Sequence, residues 1–361
     1  MARNTSPRHA VKQRTSHSNA RRSAEDVSQR CVSKTHKIKD RQMDCSRKTA
    51  VQITDSRMDT VLHIQGSPDS PRTPLILVHA VSGLALPYFA LGPLGGRPVY
   101  GISAPVYEHG SKSPMPSSLA AVAALYVSIV RRDIQPKGPY LLGGWSMGGM
   151  IAIEMARILS AEGEAVSHVV MIDSLNPELY PPFYDAREHN LLATLTYNAI
   201  ARRMNAPEDL TSVSLLDEDI SSSSSSNSTS RENSDGEIDS DEDEDDIMDR
   251  FYERLRQHIH QGLRMLGTYR STVPLSQRPS LPETDVTLIK CETLGTISPL
   301  LRESRRTFAK KIHRDGRNGW PEGRFKSLST VPFRAMHDGC FDQEFADELT
   351  GILKRILDRV G

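Results

Sequence analysis

Continuous apolar runs bounded by turn residues recur along the chain from about Val61 to the C-terminus. Such runs are typical of strands that are covered on both faces in a parallel sheet. Apolar residues at helical spacing separate them, which indicates amphipathic helices. Strands that alternate with helices predict an α/β fold built on a mostly parallel, doubly wound sheet. The predicted strands are 61–64, 74–79, 98–102, 139–143, 167–172, 285–291 and 330–335, and the predicted helices are 118–132, 150–161, 188–204, 247–268 and 345–360.

Two stretches lack this alternation. Residues 1–57 are polar and basic, with little to bury, and are predicted to be a disordered tail. Residues 58–361 form the predicted globular domain, in which 176–284 is an insertion of helical segments. Within that insertion, the serine-rich and acidic tract 217–249 is low in complexity and is predicted to be a disordered loop.

Composition limits the possible partners of this 361-residue chain. Its 45 Lys and Arg residues balance 45 Asp and Glu residues, so bulk charge gives no argument for nucleic-acid binding. Four scattered cysteines without metal-ligand spacing indicate a reduced, intracellular protein with no metal site. No apolar run is long enough for a membrane span, and no secretory signal is visible. The expected location is therefore the cytoplasm, without membrane contact.

The segment Gly143–Gly149 contains the pattern Gly-x-Ser-x-Gly, centred on Ser146, between a predicted strand and a predicted helix. In that context the pattern predicts the nucleophile elbow of an α/β-hydrolase, where small neighbours allow a strained turn to expose the serine. The same segment faintly resembles the phosphopantetheine-accepting serine site of carrier proteins. A carrier domain is a small helical bundle, so the strand before Ser146 argues against that interpretation.

A nucleophilic serine needs a histidine base and an acid that orients it, and in this fold the chain order is Ser, acid, His. His337 follows a C-terminal strand, where a loop can bring it to Ser146, whereas His313 lies on a basic segment that is expected to be solvated. Asp173 and Glu292 each follow a predicted strand, and spacing alone leaves the choice of acid open. The other histidines after Ser146 are His168, on a buried strand, and His189, His258 and His260, in the insertion.

The oxyanion hole is expected to use the backbone N–H of Met147 and one N–H from the loop 79–83. His79, at the start of that loop, is expected to be structural, with its ring held by loop hydrogen bonds.

Several segments in order resemble the thioesterase family that releases products from polyketide synthases, nonribosomal peptide synthetases and animal fatty acid synthase. The similar segments are 77–83, 99–102, 135–149, 318–320 and 336–337. The resemblance implies an α/β-hydrolase fold with Asp173 as the acid, Val81 and Met147 as oxyanion donors, and a helical lid at 176–284. The chain departs from the family at Ala80, where proline is usual, and in the long tract within the lid.

The resemblance further implies a free-standing, monomeric serine thioesterase that needs no cofactor. Its expected substrate is an acyl or peptidyl chain on the phosphopantetheine arm of a carrier protein in secondary-metabolite biosynthesis. Two alternatives remain from the residues themselves. The same fold and triad permit a small-molecule carboxylesterase or lipase, and the acidic tract permits a catalytically silent interaction protein.

Overall fold

The computed structural model of the protein describes residues 59–108, 111, 114–209, 244–272 and 280–360. The predicted tail 1–57 lies outside the described residues, and so do residues 217–243 of the serine-rich and acidic tract.

A seven-stranded sheet, with strand order β1-β3-β2-β4-β5-β6-β7, forms the centre of the described region. β1 pairs antiparallel with β3, and the other neighbouring strands pair in parallel. The predicted mostly parallel α/β architecture is thereby confirmed. The strands are β1 (Val61–Gln65), β2 (Leu75–Val78), β3 (Val99–Ile102), β4 (Tyr140–Trp145), β5 (Val166–Ile172), β6 (Leu281–Thr293) and β7 (Phe325–Met336).

Helices connect and cover these strands, because each parallel pair needs a crossover. In the described ranges they are α1 (Leu119–Asp133), α2 (Met147–Ala161), α3 (Ala186–Met204), α4 (Glu244–Thr272), α5 (Glu303–Arg314) and α6 (Gln343–Leu357). Both α3 and α4 lie between β5 and β6 in the chain, within the predicted insertion. None of the described helices is long and apolar enough to cross a lipid bilayer.

The two faces of the sheet are packed into separate cores. Leu75 and Leu77 of β2 belong to a cluster that includes buried residues of α3, α4 and α6. The alternate residues Ile76 and Val78 belong to a second cluster with α1 and α2. Since successive side chains of a strand point to opposite faces, burial of all four β2 residues explains the continuous apolar run.

Two sequence-based expectations differ from the structure. The segment around His313 has no predicted helix, yet it forms the helix α5; as expected for a solvated segment, Arg305 is the only buried residue of this helix, and His313 is half-buried. That helix has few apolar residues, and it is anchored by Phe308, whose ring centroid lies 6.1 Å from that of Tyr180. In addition, α4 begins at Glu244, so the last residues of the tract predicted as disordered are helical.

Candidate active site

Ser146 occupies a sharp turn between β4 and α2, at the carboxyl edge of the sheet. Its φ of 56° and ψ of −120° are rare for a residue with a side chain, as expected for a serine on a strained elbow. The turn can close because Gly144 and Gly148, two residues before and two residues after Ser146, lack side chains. A Cβ on Gly144 would lie 2.3 Å from the carbonyl carbon of Gly148, so the helix could not approach the strand so closely.

Gly148 is under a similar constraint, which predicts a large effect of the substitution Gly148→Ala. The added Cβ would lie 2.1 Å from the carbonyl oxygen of Val78 and 2.6 Å from that of His79. We expect a destabilisation of about 1–3 kcal/mol, the usual effect of overpacking, together with loss of activity as α2 is pushed from β2. Urea denaturation measures the former. Gly323→Ala, which meets no atom within 4 Å, is the matched control. An unchanged urea midpoint in Gly148→Ala would contradict the close approach.

The structure brings Ser146, His337 and Asp173 together in a hydrogen-bonded chain. The Nε2 of His337 lies 3.0 Å from the Oγ of Ser146, and its Nδ1 lies 2.8 Å from the Oδ2 of Asp173. Because a carboxylate only accepts hydrogen bonds, Nδ1 carries the proton, which leaves Nε2 of the neutral ring as the acceptor facing the serine hydroxyl. This arrangement can remove a proton from Ser146.

The other carboxylate oxygen of Asp173 is held by two donors. Its Oδ1 accepts from the backbone N–H of Cys291 at 3.1 Å and from the Nδ2 of Asn318 at 3.0 Å. These bonds direct Oδ2 towards His337. Glu292, the alternative acid, is exposed one residue beyond Cys291. The geometry therefore favours Asp173.

Charge and burial shift the pKa values of His337 and Asp173 in opposite directions. Burial lowers the pKa of His337, but the hydrogen bond and negative charge of Asp173 outweigh that effect and raise it above its ordinary value. The side chain of His337 is 41% exposed, which limits the loss of hydration. Burial raises the pKa of Asp173, whereas His337, Asn318 and Lys290 lower it to a greater extent. The pair thus favours a charged carboxylate beside a more basic imidazole.

The loop that carries His337 is bonded to the elbow and packed against β6. The indole Nε1 of Trp145 donates to the carbonyl oxygen of His337 at 3.1 Å. The thiol of Cys340, which is buried with Cys291 at an Sγ–Sγ distance of 3.4 Å, lies 3.1 Å from the same oxygen. These contacts restrict the histidine to the position above Ser146.

The two predicted oxyanion residues meet beneath α4. Met147 is the first residue of α2, where backbone N–H groups have no acceptor within the helix and the helix dipole favours negative charge. Val81 lies in the loop after β2, against which the start of α2 packs. A Cβ on Gly262 of α4 would lie 2.9 Å from the Cγ2 of Val81 and 3.3 Å from the Cε of Met147, so both residues are neighbours of this glycine.

His79 has the structural role expected from the sequence. Its ring is buried, with Nδ1 2.5 Å from the carbonyl oxygen of Ala80 and Nε2 2.5 Å from the hydroxyl of Tyr126. Burial, and then the neighbouring His258, lower its pKa to about 3, so the ring is neutral near pH 7 and too weakly basic to take the proton of a serine hydroxyl.

Two residues of the site were not assigned a role from the sequence. Asn318 holds Asp173, as described above, and His258 of α4 contacts the loop that carries Val81. A signal for His258 exists in the sequence, because it lies at helical spacing from Phe251, Leu255 and Gly262 on the buried face of α4. Its contact with a loop far away in the chain is a tertiary property and has no local signal.

An apolar pocket lies beside Met147. It is enclosed by α1, α4 and the loop that follows β3, and Met147, Met265 and Leu125 are among its lining residues. Its surface is mainly apolar, although the rings of His79 and His258 also line it, so it suits an apolar group better than a charged one.

Comparisons with known proteins agree on one family. The model of the thioesterase domain family matches residues 73–217. The thioesterase pytI of Aspergillus terreus is 53% identical over 317 residues, which cover 83% of this chain and 99% of that protein. The non-reducing polyketide synthase crz7 of Cladonia metacorallifera is 41% identical over 143 residues, which are 39% of this chain and 6% of the synthase.

A solved structure has a similar fold. The NocB thioesterase domain, in covalent complex with a fluorophosphonate nocardicin G analogue, is 24% identical and has a TM-score of 0.51. The match covers 83% of this chain and 100% of that domain.

Proposed function

This chain belongs to the thioesterase family, and from that membership we propose that it cleaves the thioester of an acyl or peptidyl chain carried on the phosphopantetheine arm of a carrier protein. The proposed setting is the biosynthesis of a polyketide or nonribosomal peptide. The similarity of 143 residues of this chain to part of a non-reducing polyketide synthase supports that setting.

One observation carries the proposed chemistry. The Oγ of Ser146 lies 3.0 Å from the Nε2 of His337, whose opposite nitrogen is held at 2.8 Å by Asp173. We assign Ser146 as the nucleophile, His337 as the general base and acid, and Asp173 as the group that fixes the tautomer. Met147 and Val81 are assigned as oxyanion donors through their backbone N–H groups.

The proposed reaction has two halves. Ser146 transfers its proton to Nε2 of His337 as Oγ attacks the thioester carbonyl, and the N–H groups of Met147 and Val81 bind the resulting oxyanion. Collapse of the tetrahedral intermediate breaks the C–S bond, and His337 returns the proton to the thiolate of the leaving arm. Water, or a nucleophile within the acyl chain, then attacks the acyl-enzyme with His337 again as base. The apolar pocket beside Met147 has a volume of about 20 Å³, so in this conformation it has room for a small apolar group of the acyl chain and no more.

The proposal is tested by comparing an acyl-pantetheine thioester with the oxygen ester of the same acyl group. Release of free thiol is followed for a series of chain lengths, with Ser146→Ala as the blank. We expect the native protein to have a higher kcat/KM for the thioester than for its matched ester. Cleavage of the ester with no release from any thioester would replace the proposed function with that of a carboxylesterase.

A further inference from the structure

The loop that carries Val81 is held from above by a side chain of α4. The Nδ1 of His258 lies 3.0 Å from the carbonyl oxygen of Val81 and donates its hydrogen bond to it. We infer that His258 is a positioning residue, which sets the orientation of the Val81 N–H as an oxyanion donor. The inference rests on the proposed function, since that function assigns Val81 its role.

Each carbonyl group of the loop 80–83 accepts a hydrogen bond. The Ala80 carbonyl accepts from His79 Nδ1 at 2.5 Å and from the backbone N–H of Gly83 at 3.1 Å. The Ser82 carbonyl accepts from Tyr107 Oη at 2.6 Å, and the Gly83 carbonyl accepts from Ala104 N at 2.7 Å. Those donors lie next to the carboxyl end of β2, within the loop and on the segment after β3. In the part of the chain that the structure describes, the Val81 carbonyl is the one bonded from α4.

The bonds to Ala80 and Val81 determine where the Val81 N–H points. The Ala80 carbonyl shares a planar peptide unit with the N–H of Val81, so the His79 ring and the Gly83 N–H fix that unit from one side. The Val81 carbonyl belongs to the next peptide unit, which His258 turns from the other side. With both units held, the residue between them has little freedom to rotate its N–H away from a developing oxyanion. Such preorganisation is what makes an oxyanion donor effective.

The protonation of His258 suits a fixed donor. Burial lowers its pKa to about 4, although the bond to Val81 opposes that effect, so the ring is neutral near pH 7. A neutral imidazole has one N–H, and the carbonyl acceptor requires that hydrogen on Nδ1. The ring also packs edge-on against His79, with centroids 5.2 Å apart, which keeps the two holding groups in contact.

The backbone of α4 comes close enough for this bond because of Gly262, one turn beyond His258. A Cβ at that position would lie 2.9 Å from the Cγ2 of Val81, inside ordinary contact distance. The helix therefore rests directly on Val81, and His258 reaches its carbonyl from the same face.

Two variants of His258 separate positioning from general stability. His258→Leu keeps an apolar side chain of similar size and removes the donor. His258→Asn keeps a donor, because its Nδ2 is the same number of bonds from the backbone as the imidazole Nδ1. For each we would measure kcat and KM on an acyl-pantetheine, the rate constant of labelling by an alkyl fluorophosphonate, and the urea midpoint. Labelling of a serine nucleophile needs the oxyanion donors and does not depend on knowing the natural acyl group.

In His258→Leu we expect kcat and the labelling rate to fall about 10- to 100-fold, since complete removal of an oxyanion donor costs about 10²–10³ in kcat and here the donor is only misplaced. KM should stay within about twofold, because the interaction is made in the transition state. His258→Asn should recover most of both rates.

Other outcomes overturn the inference. Unchanged kcat and labelling in His258→Leu would mean that the bond to Val81 does not position the donor. If kcat and the labelling rate fall equally in both variants, in step with a lowered urea midpoint, then His258 only stabilises the fold. If the native protein is labelled but cleaves no thioester, the proposed substrate is wrong while the labelling rates still decide the role of His258. If the native protein is not labelled at all, Ser146 is not a nucleophile and both proposals fail.

Discussion

Replacing Ser146 with alanine is expected to lower the turnover of an acyl-pantetheine thioester by about three or more orders of magnitude, as for other catalytic-triad nucleophiles. The change leaves the Cβ in place and removes only the oxygen that lies 3.0 Å from His337 Nε2. The fold should therefore be retained, with a urea midpoint close to that of the native protein.

The double variant Ser146→Ala/His337→Ala tests whether the two residues act as a unit. Without the nucleophile the base has no proton to accept, so the second substitution should cost little beyond the first, and the separate losses should not add. The rates are measured as thiol release at saturating substrate. His313→Ala is the matched control, because it removes a histidine from α5 and should leave turnover unchanged. Additive losses would show that His337 does not act through Ser146.

The central strands β2 and β4 could be predicted from the sequence because they are apolar on both faces. β2 has four residues and β4 has six, and their observed bounds of Leu75–Val78 and Tyr140–Trp145 lie within two residues of the predicted ones. β6 and β7 extend well beyond their predictions. Their additional residues include many exposed ones, whose extended conformation comes from pairing with the neighbouring strand rather than from local apolarity.

The helix α5 was not predicted because the reasons for its formation lie elsewhere in the chain. Its sequence is dominated by charged residues, and local pattern favoured a solvated segment. In the structure, Arg305 is buried against Glu188 of α3, with its Nε 3.2 Å from the carboxylate, and Phe308 packs on Tyr180. A buried ion pair between residues so far apart has no signature in either segment.

The residues of the candidate site differ in the same way: some have a local signal in the sequence and others do not. The nucleophile elbow has a local signature, since Gly144 and Gly148 must accept a close approach of strand and helix. The acid does not, because Asp173 and Glu292 both follow predicted strands, and the choice between them depends on which carboxylate faces His337 in the structure. Asn318 and His258 act through contacts across the fold, so the sequence alone could name them only as residues of unassigned role.

The substitution Asp173→Asn is expected to lower kcat/KM by about 10³–10⁴, although it changes no atom's position appreciably. The reason lies in the two donors to Oδ1. Cys291 N–H and Asn318 Nδ2 both need an acceptor there, so they select the amide orientation with its oxygen on their side. The amide NH₂ then faces His337 and donates to Nδ1. A neutral ring in that tautomer carries its hydrogen on Nε2 and cannot accept the proton of Ser146.

The dependence of kcat/KM on pH is a second measurement that tests the role of Asp173. In the native protein the neutral imidazole is the base, so kcat/KM rises with pH through the pKa of His337, which Asp173 raises above its ordinary value. In Asp173→Asn the charge and its hydrogen bond are lost while burial still lowers that pKa, so the rising limb moves to lower pH and its plateau falls. The profile is measured with an acyl-pantetheine at low concentration.

Asp338→Asn is the matched control for charge alone. Asp338 also raises the pKa of His337 through its charge, and it is not the residue bonded to Nδ1. Its loss should move the rising limb slightly to lower pH and leave the plateau within about threefold, because a partly exposed charge contributes little. A plateau that survives in Asp173→Asn would remove Asp173 from the triad, and Glu292→Gln would then decide whether the exposed carboxylate replaces it. If the plateau of kcat/KM falls in Asp173→Asn and not in Asp338→Asn, the acid contributes mainly by selecting the tautomer of His337 and only secondarily by its charge.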